Sequence, residues 1–246
     1  ETNITHGACA YPITSSTSMG VGYQAAQANG TKNLWNEPLF FLLQQGRAIG
    51  CFGLTEPDAG SDPAAMRTRA TKVGDGWVLS GAKRWITNGA RADLAVVWAK
   101  IGDDAESIRA FLVPRGTPGF SQVPMERKLS FRCSDTAELN FDDVQLPADA
   151  LLPGTRGLGS ALKCLFEARG GIAFAVCGSA AASLQCTIEF AQSRIAFGKP
   201  IAGMQLVQGK LATMAVELAK AQLLALSLAR LKEAGRLEPV QVSVAK

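Results

Sequence analysis

The residues best suited to chemistry lie in two short runs, Cys51-Phe52-Gly53-Leu54-Thr55-Glu56-Pro57-Asp58-Ala59-Gly60-Ser61-Asp62 and, further along, Lys83-Arg84-Trp85-Ile86-Thr87-Asn88-Gly89. The first begins as a short apolar strand and then turns at Glu56 to Ser61, a cluster of turn formers whose backbone must leave the strand. Such a corner presents several amide donors and two hydroxyls at one spot. With no Lys or Arg adjacent in the run, those donors suit a neutral or weakly anionic polar ligand. Trp85, flanked by Ile86 and Thr87, adds a flat apolar face with a hydroxyl beside it, and the groups together fit a planar heterocycle. Taken one at a time, the same residues fit a hairpin corner with a core tryptophan.

Other chemistries lack their residues. The chain has one histidine, His6, so a Ser-His-Asp triad, a Cys-His dyad or a His-based zinc site would have to use a residue near the start of the chain. The six cysteines, at 9, 51, 133, 164, 177 and 186, form no C-x-x-C pair and read as free thiols of a reducing compartment. No G-x-G-x-x-G follows a strand and no G-x-x-x-x-G-K-[ST] occurs, which leaves NAD and ATP without their usual cradles. A formal charge of +4 over 246 residues, with scattered basic residues, does not make a nucleic-acid footprint. No uninterrupted apolar run reaches membrane-spanning length, and a hydrophobic content of 47% with 19% charged residues describes an ordinary globular chain.

Three kinds of pattern must position the two runs. Residues 1 to 48 read as mostly helical, with Leu34 to Gln45 a buried helix closing at Gly46. Strands follow the apolar run at residue 51: Thr68 to Val73, Trp77 to Ser80, Lys83 to Thr87, Leu94 to Ala99, Ile108 to Val113 and Ala137 to Val144, separated by turn signals such as Gly-Asp-Gly and Arg-Gly-Thr-Pro-Gly. Short strands at this spacing without crossover helices predict a compact β-barrel or sandwich and exclude a doubly wound fold. Leu158 to Arg194 then reads as one long helix in which Gly170, Gly171 and Gly178 mark close helix contacts or a kink. A turn over Ser193 to Ile201 leads to a second helix from about Gly203 to Glu233, with an apolar stripe of Leu206, Leu211, Met214, Leu218, Leu224, Leu228 and Leu231, and a third segment starts near Pro239.

The order Leu-Thr-Glu-Pro-x-Ala-Gly-Ser-Asp followed by Lys-x-Trp-Ile-Thr-Asn-Gly closely resembles the acyl-CoA dehydrogenase family. The resemblance implies an α+β fold with a central β-barrel flanked by helical domains. Residues 1–48 would be a remnant of the N-terminal helical domain, 49–150 the β-barrel, and 151–246 the first part of a C-terminal helical bundle. It also implies FAD as cofactor. Phe52, Leu54 and Thr55 would line the flavin, Gly60 and Ser61 its pyrophosphate side and the CoA chain, and Trp85, Ile86 and Thr87 the other edge. A third match, Arg194-Ile195-Ala196-Phe197-Gly198-Lys199-Pro200-Ile201 followed by Gln205, implies that Arg194, Phe197 and Gln205 reach the FAD of a neighbouring subunit in a dimer or tetramer. An arginine fork suits a pyrophosphate, although Arg194 equally fits a charge stabilising a helix C-terminus. Arg169, with Leu162, Leu165 and Phe166, matches the helix beside the acyl-CoA, and a solvated helix charge is the alternative for Arg169.

The resemblance implies an acyl-CoA thioester as substrate, α-proton abstraction with β-hydride transfer, and an electron-transfer flavoprotein as acceptor. It assigns no catalytic residue within the chain, because most members carry the base on a Glu-Gly-Thr segment, here expected beyond Lys246. Gly50-Cys51-Phe52-Gly53-Leu54-Thr55-Glu56-Pro57, Lys128 to Arg132 and Leu224 to Gly235 look most like the glutaryl-CoA dehydrogenase branch, yet Pro12, within Tyr11-Pro12-Ile13, stands where that branch has the arginine that grips a distal carboxylate. An acyl-CoA oxidase and a flavin-fold binding protein without the base are the alternatives. With Glu1 first and no signal or transit peptide, the sequence reads as starting in mid-protein. The resemblance places the protein in the cytoplasm of a bacterium or the mitochondrial matrix of a eukaryote, without membrane insertion.

Overall fold

Alternation of apolar side chains between two faces organises the β-region. A computed structural model describes residues 48–246; the helical reading of residues 1–47, with His6 and Tyr11-Pro12-Ile13, lies outside the described residues. Seven strands form one sheet: β1 (Gly50–Gly53), β2 (Arg69–Val73), β3 (Gly76–Thr87), β4 (Leu94–Lys100), β5 (Ile108–Pro114), β6 (Phe120–Pro124) and β7 (Thr136–Leu146). Their order is β1-β4-β2-β3-β7-β6, with β5 paired to β4. The sheet curls into a partly open half-barrel, so the expected barrel does not close.

β4 is apolar along its length because it serves two cores. Ala95, Val97 and Ala99 pack with Leu79, Phe111, Leu139 and Val144 in one cluster, whereas Leu94, Val96 and Trp98 pack with Leu54, Met66, Ile108 and Leu112 in another. Each alternate residue thus removes apolar area from water on its own side, worth about 25 cal/mol per Å². The second cluster is capped by Leu158, Ala161, Cys164 and Leu165 from the start of a long helix, α1 (Gly157–Ser193).

The two short strands expected at Trp77 and Lys83 are one strand. Gly81, at φ +140°, keeps β3 continuous instead of ending it. An added Cβ there would lie 2.6 Å from the Thr68 Oγ1 and 2.7 Å from the Thr68 Cα, so the glycine permits close approach. β6, five residues with Ser121 and Gln122 at its centre and Pro124 at its end, carries no pattern that reads as a strand.

The described residues divide into two compact units, the first ending at Leu165 and the second covering Phe166–Lys246. In the second, α1 is followed by a small hairpin, β8 (Ile195–Ala196) and β9 (Lys199–Pro200), then α2 (Gln205–Glu233) and α3 (Pro239–Ala245). Its core is Ala173 and Cys177 of α1 against Ala225 and Leu228 of α2, with Leu237 and Ala245 beside them. Of the expected α2 stripe only Leu228 is buried, and Leu206 is 86% exposed. A Cβ at Gly170 or Gly178 would meet nothing within 4 Å, so neither marks a close helix contact. By length and composition α1 and α2 are both apolar enough to cross a bilayer, a property that a search for an unbroken apolar run overlooks.

Candidate functional site

The corner after β1 is a reciprocal turn: the Glu56 amide donates to the Ala59 carbonyl at 3.1 Å and the Ala59 amide to the Glu56 carbonyl at 3.3 Å. Ala59 is buried and anchors the turn, while Pro57, Asp58, Gly60, Ser61 and Asp62 are exposed. A Cβ on Gly60 would meet only the Thr55 Cγ2, at 4.0 Å, so the outer face of the corner is open.

β3 reaches the same place by a bulge. Lys83 pairs with Leu139 and Ile86 with Ala137, so three steps on β3 span two on β7. The extra residue inverts the alternation. Lys83 and Ile86 both point inward, and Trp85 lies outside, 58% exposed, at φ +63°. A left-handed backbone costs a non-glycine residue about 1–2 kcal/mol, and strain of this kind gathers at ligand sites. The Arg84 guanidinium sits 5.3 Å from the indole centroid. The turn that follows is held by Asn88 at φ +61° and by Gly89, where a Cβ would lie 2.8 Å from the Ala137 Cβ. Gln122 Nε2 donates to the carbonyls of Gly89 and Ala92 at 2.6 and 3.0 Å, fixing the turn from β6.

The two runs meet through the backbone: the Arg84 amide donates to the Thr55 carbonyl at 2.8 Å. Thr55, Phe52 and Thr87 are half-buried, and the Phe52 ring packs 5.9 Å from Trp98. Leu54 and Ile86 are 5% and 3% exposed and belong to the two cores, so their side chains serve packing. The expectation that basic groups stay away from the corner does not hold, because pairing of distant strands brings them in. Arg67 bridges Asp58 at 3.2 Å, and the Lys83 Nζ lies 2.8 Å from the Glu56 Oε1, both of these last residues buried. Burial strips water from the Lys83 ammonium and, despite Glu56 beside it, lowers its pKa to about 8. For Glu56 the desolvation penalty is outweighed by Lys83, by the Arg67 amide and by Thr68, which hold the carboxyl below its usual range. Cys51, deep in the core, is pushed up to about 12 by burial and is inert.

The remaining sequence candidates fall elsewhere. Leu162 is exposed and Leu165 half-buried in the first unit; in the second, Phe166 is half-buried and Arg169 exposed. Arg194, Phe197 and Gln205 share one local feature of the second unit. Phe197 and Gly198, both at positive φ, form the two-residue turn between β8 and β9, a turn type that normally takes Asn-Gly. Phe197 is 94% exposed there. Arg194 follows the last residue of α1, its amide donating to the Phe190 carbonyl at 2.8 Å, and Gln205 opens α2 with its side chain in solvent.

A curled half-barrel with an open hydroxyl-bearing corner beside an outward indole, followed by long apolar helices, defines the α+β fold of the FAD-binding acyl-CoA oxidoreductases. The comparisons agree on this class. A model of the "Acyl-CoA dehydrogenase, middle domain" matches residues 51–144, and one of the "Acyl-CoA dehydrogenase, C-terminal domain" matches residues 155–246. The chain belongs to the acyl-CoA dehydrogenase family. It is similar to a glutaryl-CoA dehydrogenase from Mycobacterium smegmatis (48% identity, TM-score 0.88, covering 96% of this chain and 59% of that one), a protein also solved in complex with FADH2. It is 44% identical over 206 residues to the short-chain specific acyl-CoA dehydrogenase of Bos taurus mitochondria, covering 82% of this chain and 49% of that protein. A chain from a structure described as the electron transferring flavoprotein of Acidaminococcus fermentans is 34% identical, with TM-score 0.80, covering 85% of this chain and 56% of that one. The chain thus spans about half the length of the curated relative.

The residues present fit FAD by their chemistry. The exposed corner amides and the Ser61 hydroxyl suit a pyrophosphate, the hydroxyls of Thr55 and Thr87 suit the polar edge of a ring, and the outward indole of Trp85 suits its face.

Proposed function

We propose that the half-barrel holds FAD against the Thr55 corner and the Trp85 bulge, and that the whole protein is an acyl-CoA dehydrogenase acting on a short or glutaryl-type acyl-CoA. The observation that carries this reading is the Arg84-to-Thr55 hydrogen bond at 2.8 Å, which links the hydroxyl-bearing corner to the strand whose bulge turns the indole outward. The chemistry FAD supplies when bound is acceptance of the β-hydrogen of the thioester as hydride once the α-proton has left. Thr55 and Thr87 orient the ring by hydrogen bonds that add no full charge, Trp85 excludes water from its edge, and Gly60 and Ser61 receive the pyrophosphate side. Arg194, Phe197 and Gln205 serve the cofactor of a neighbouring subunit, which the full exposure of Phe197 at its hairpin tip supports. Arg169, Leu162, Leu165 and Phe166 of α1 face the acyl-CoA. Residues 49–150 act as the flavin domain and 151–246 as the start of the helical bundle, with the base on a segment beyond Lys246 and an electron-transfer flavoprotein as acceptor. The M. smegmatis and Bos taurus relatives support the substrate class.

FAD titration of the chain reads the cofactor step, with a retained yellow band expected. Anaerobic titration of the protein from the full reading frame with glutaryl-CoA and butyryl-CoA reads the chemistry, with bleaching of that band expected. A chain that retains no flavin would sink the reading. Peroxide formed in air without an added acceptor would make the protein an oxidase.

A further inference from the structure

Under the corner, buried from solvent, lies an ion pair that the proposed chemistry does not use. The Lys83 Nζ donates to the Glu56 Oε1 at 2.8 Å and to the Leu54 carbonyl at 3.1 Å, with the Met66 Sδ at 3.9 Å. The Glu56 Oε2 accepts from the Arg67 amide at 2.6 Å, and Oε1 also accepts from the Thr68 amide at 3.0 Å. Lys83 is fully buried and Glu56 is 5% exposed. The Arg84 amide on the Thr55 carbonyl, at 2.8 Å, completes the set. Residues 54, 55 and 56 are therefore each fastened to residue 83 or 84, and the next residue of β3 is Trp85.

We propose that Glu56 and Lys83 are positioning residues for the flavin slot, setting the distance and tilt of the Thr55 corner relative to the Trp85 bulge. The inference rests on the FAD reading above. Stability alone is a poor reason for this pair. Taking two charges out of water costs about as much as their attraction returns, and packed apolar residues of like volume often do as well or better. Apolar neighbours slide by tenths of an ångström, whereas five directional bonds to two charged groups admit one arrangement. The pair also joins segments 27 residues apart in sequence, and each segment carries one half of the slot.

The test is Glu56→Gln in the intact chain. Both carboxylate oxygens accept, so either orientation of the amide turns an NH2 group toward a donor: the Arg67 amide, or the Thr68 amide together with Lys83. The expected result is a folded protein whose FAD Kd rises about tenfold or more, with an altered visible band of the bound flavin, a readout that a purely structural residue would not move. Because the pair acts through Thr55, the effect should shrink severalfold in a Thr55→Val background. A second variant, Glu56→Leu with Lys83→Met, removes both charges. It should melt at or above the parent temperature and still bind FAD about tenfold more weakly. Parent-like affinity and spectrum in either folded variant overturn the proposal, and loss of the fold in both would assign the pair to stability and overturn it too. If the unaltered chain itself binds no FAD, the failure belongs to the cofactor reading instead.

Discussion

The Thr55 carbonyl accepts a hydrogen bond from the Arg84 amide at 2.8 Å, leaving the Thr55 side chain half-buried at the rim of the corner and one bond plus one residue away from Trp85. The hydroxyl is therefore free of a role in holding the backbone, which its own carbonyl performs. Thr55→Val keeps the volume and the β-branch and removes only the hydroxyl. Stability should change by less than about 1 kcal/mol, while FAD affinity falls up to about tenfold. Thermal melting and FAD titration on the same preparation check it; a melting loss without an affinity loss would make Thr55 a structural residue.

Trp85 separates stability from function in the opposite sense. At φ +63° its backbone stores about 1–2 kcal/mol that a glycine would release, offset by the glycine's greater entropy in the unfolded chain and by loss of the Arg84 contact over the ring, about 0.5–1 kcal/mol. Trp85→Gly should leave denaturant stability within about 1 kcal/mol of the parent and abolish most flavin retention. Unchanged retention would show that the indole is not part of the slot.

These two residues also mark what is legible in a sequence. The strands β4 and β5 could be read because burial on both faces makes them almost continuous apolar runs of strand length, and the motif residues could be read because their order and interval resemble those of a known family. The bulge could not, since inversion of the alternation at Arg84 and Trp85 depends on how β7 pairs with β3, a contact with residues far along the chain. Lys83 read as the first residue of a motif with no role of its own, and its burial exists only once Glu56 has been brought to it. Gly81 read as a strand end because a glycine that allows Thr68 to approach looks the same as one that breaks a strand. Phe120–Pro124 forms a strand on the strength of its partner alone.

The titration of Lys83 gives a pH signature. Its folded pKa, about 8, lies below the ordinary lysine value of 10.5 because burial disfavours the charge, and its charged neighbour is Glu56. Between these two values the unfolded chain binds the proton and the folded one does not, so the Lys83 contribution to stability rises with pH across that window. Loss of the ammonium charge nonetheless weakens the bonds to Leu54 and Glu56, which a neutral amine donates without charge assistance. FAD affinity should therefore fall as pH passes through about 8 without a matching fall in melting temperature attributable to Lys83, and Lys83→Met should lack the step. Glu56 has the opposite sign: its folded pKa is depressed, so its contribution is present above the ordinary value of 4.5 and lost as pH falls through the folded one. FAD titrations at a series of pH values on parent and Lys83→Met decide whether the alkaline step belongs to this group.

Arg194 is exposed at the end of α1, where a cation near the helix C-terminus contributes about 0.3–1 kcal/mol. Arg194→Ala should cost no more than that in folding and weaken FAD retention more strongly, with the deficit growing on dilution if the arginine serves a neighbouring subunit. Equal losses in melting and in retention would reduce Arg194 to a helix-end charge.

Gly81 tests whether a change at an exposed position of β3 reaches the corner through the buried pair. An alanine Cβ there would lie 2.6 Å from Thr68 Oγ1, 2.7 Å from Thr68 Cα and 2.9 Å from Thr68 Cβ, so the Thr68 backbone must move. Thr68 donates its amide to Glu56 Oε1 at 3.0 Å, and its displacement pulls on the carboxylate that Lys83 holds. Overpacking of this kind costs about 1–3 kcal/mol, with the strain of a positive φ added. Gly74→Ala is the matched control: it also sits at positive φ, +56°, yet its Cβ would meet nothing within 4 Å. Both variants should melt lower than the parent, and only Gly81→Ala should bind FAD more weakly at a temperature where both are folded. If the two lose affinity alike, or neither does, Thr68 does not transmit to the corner.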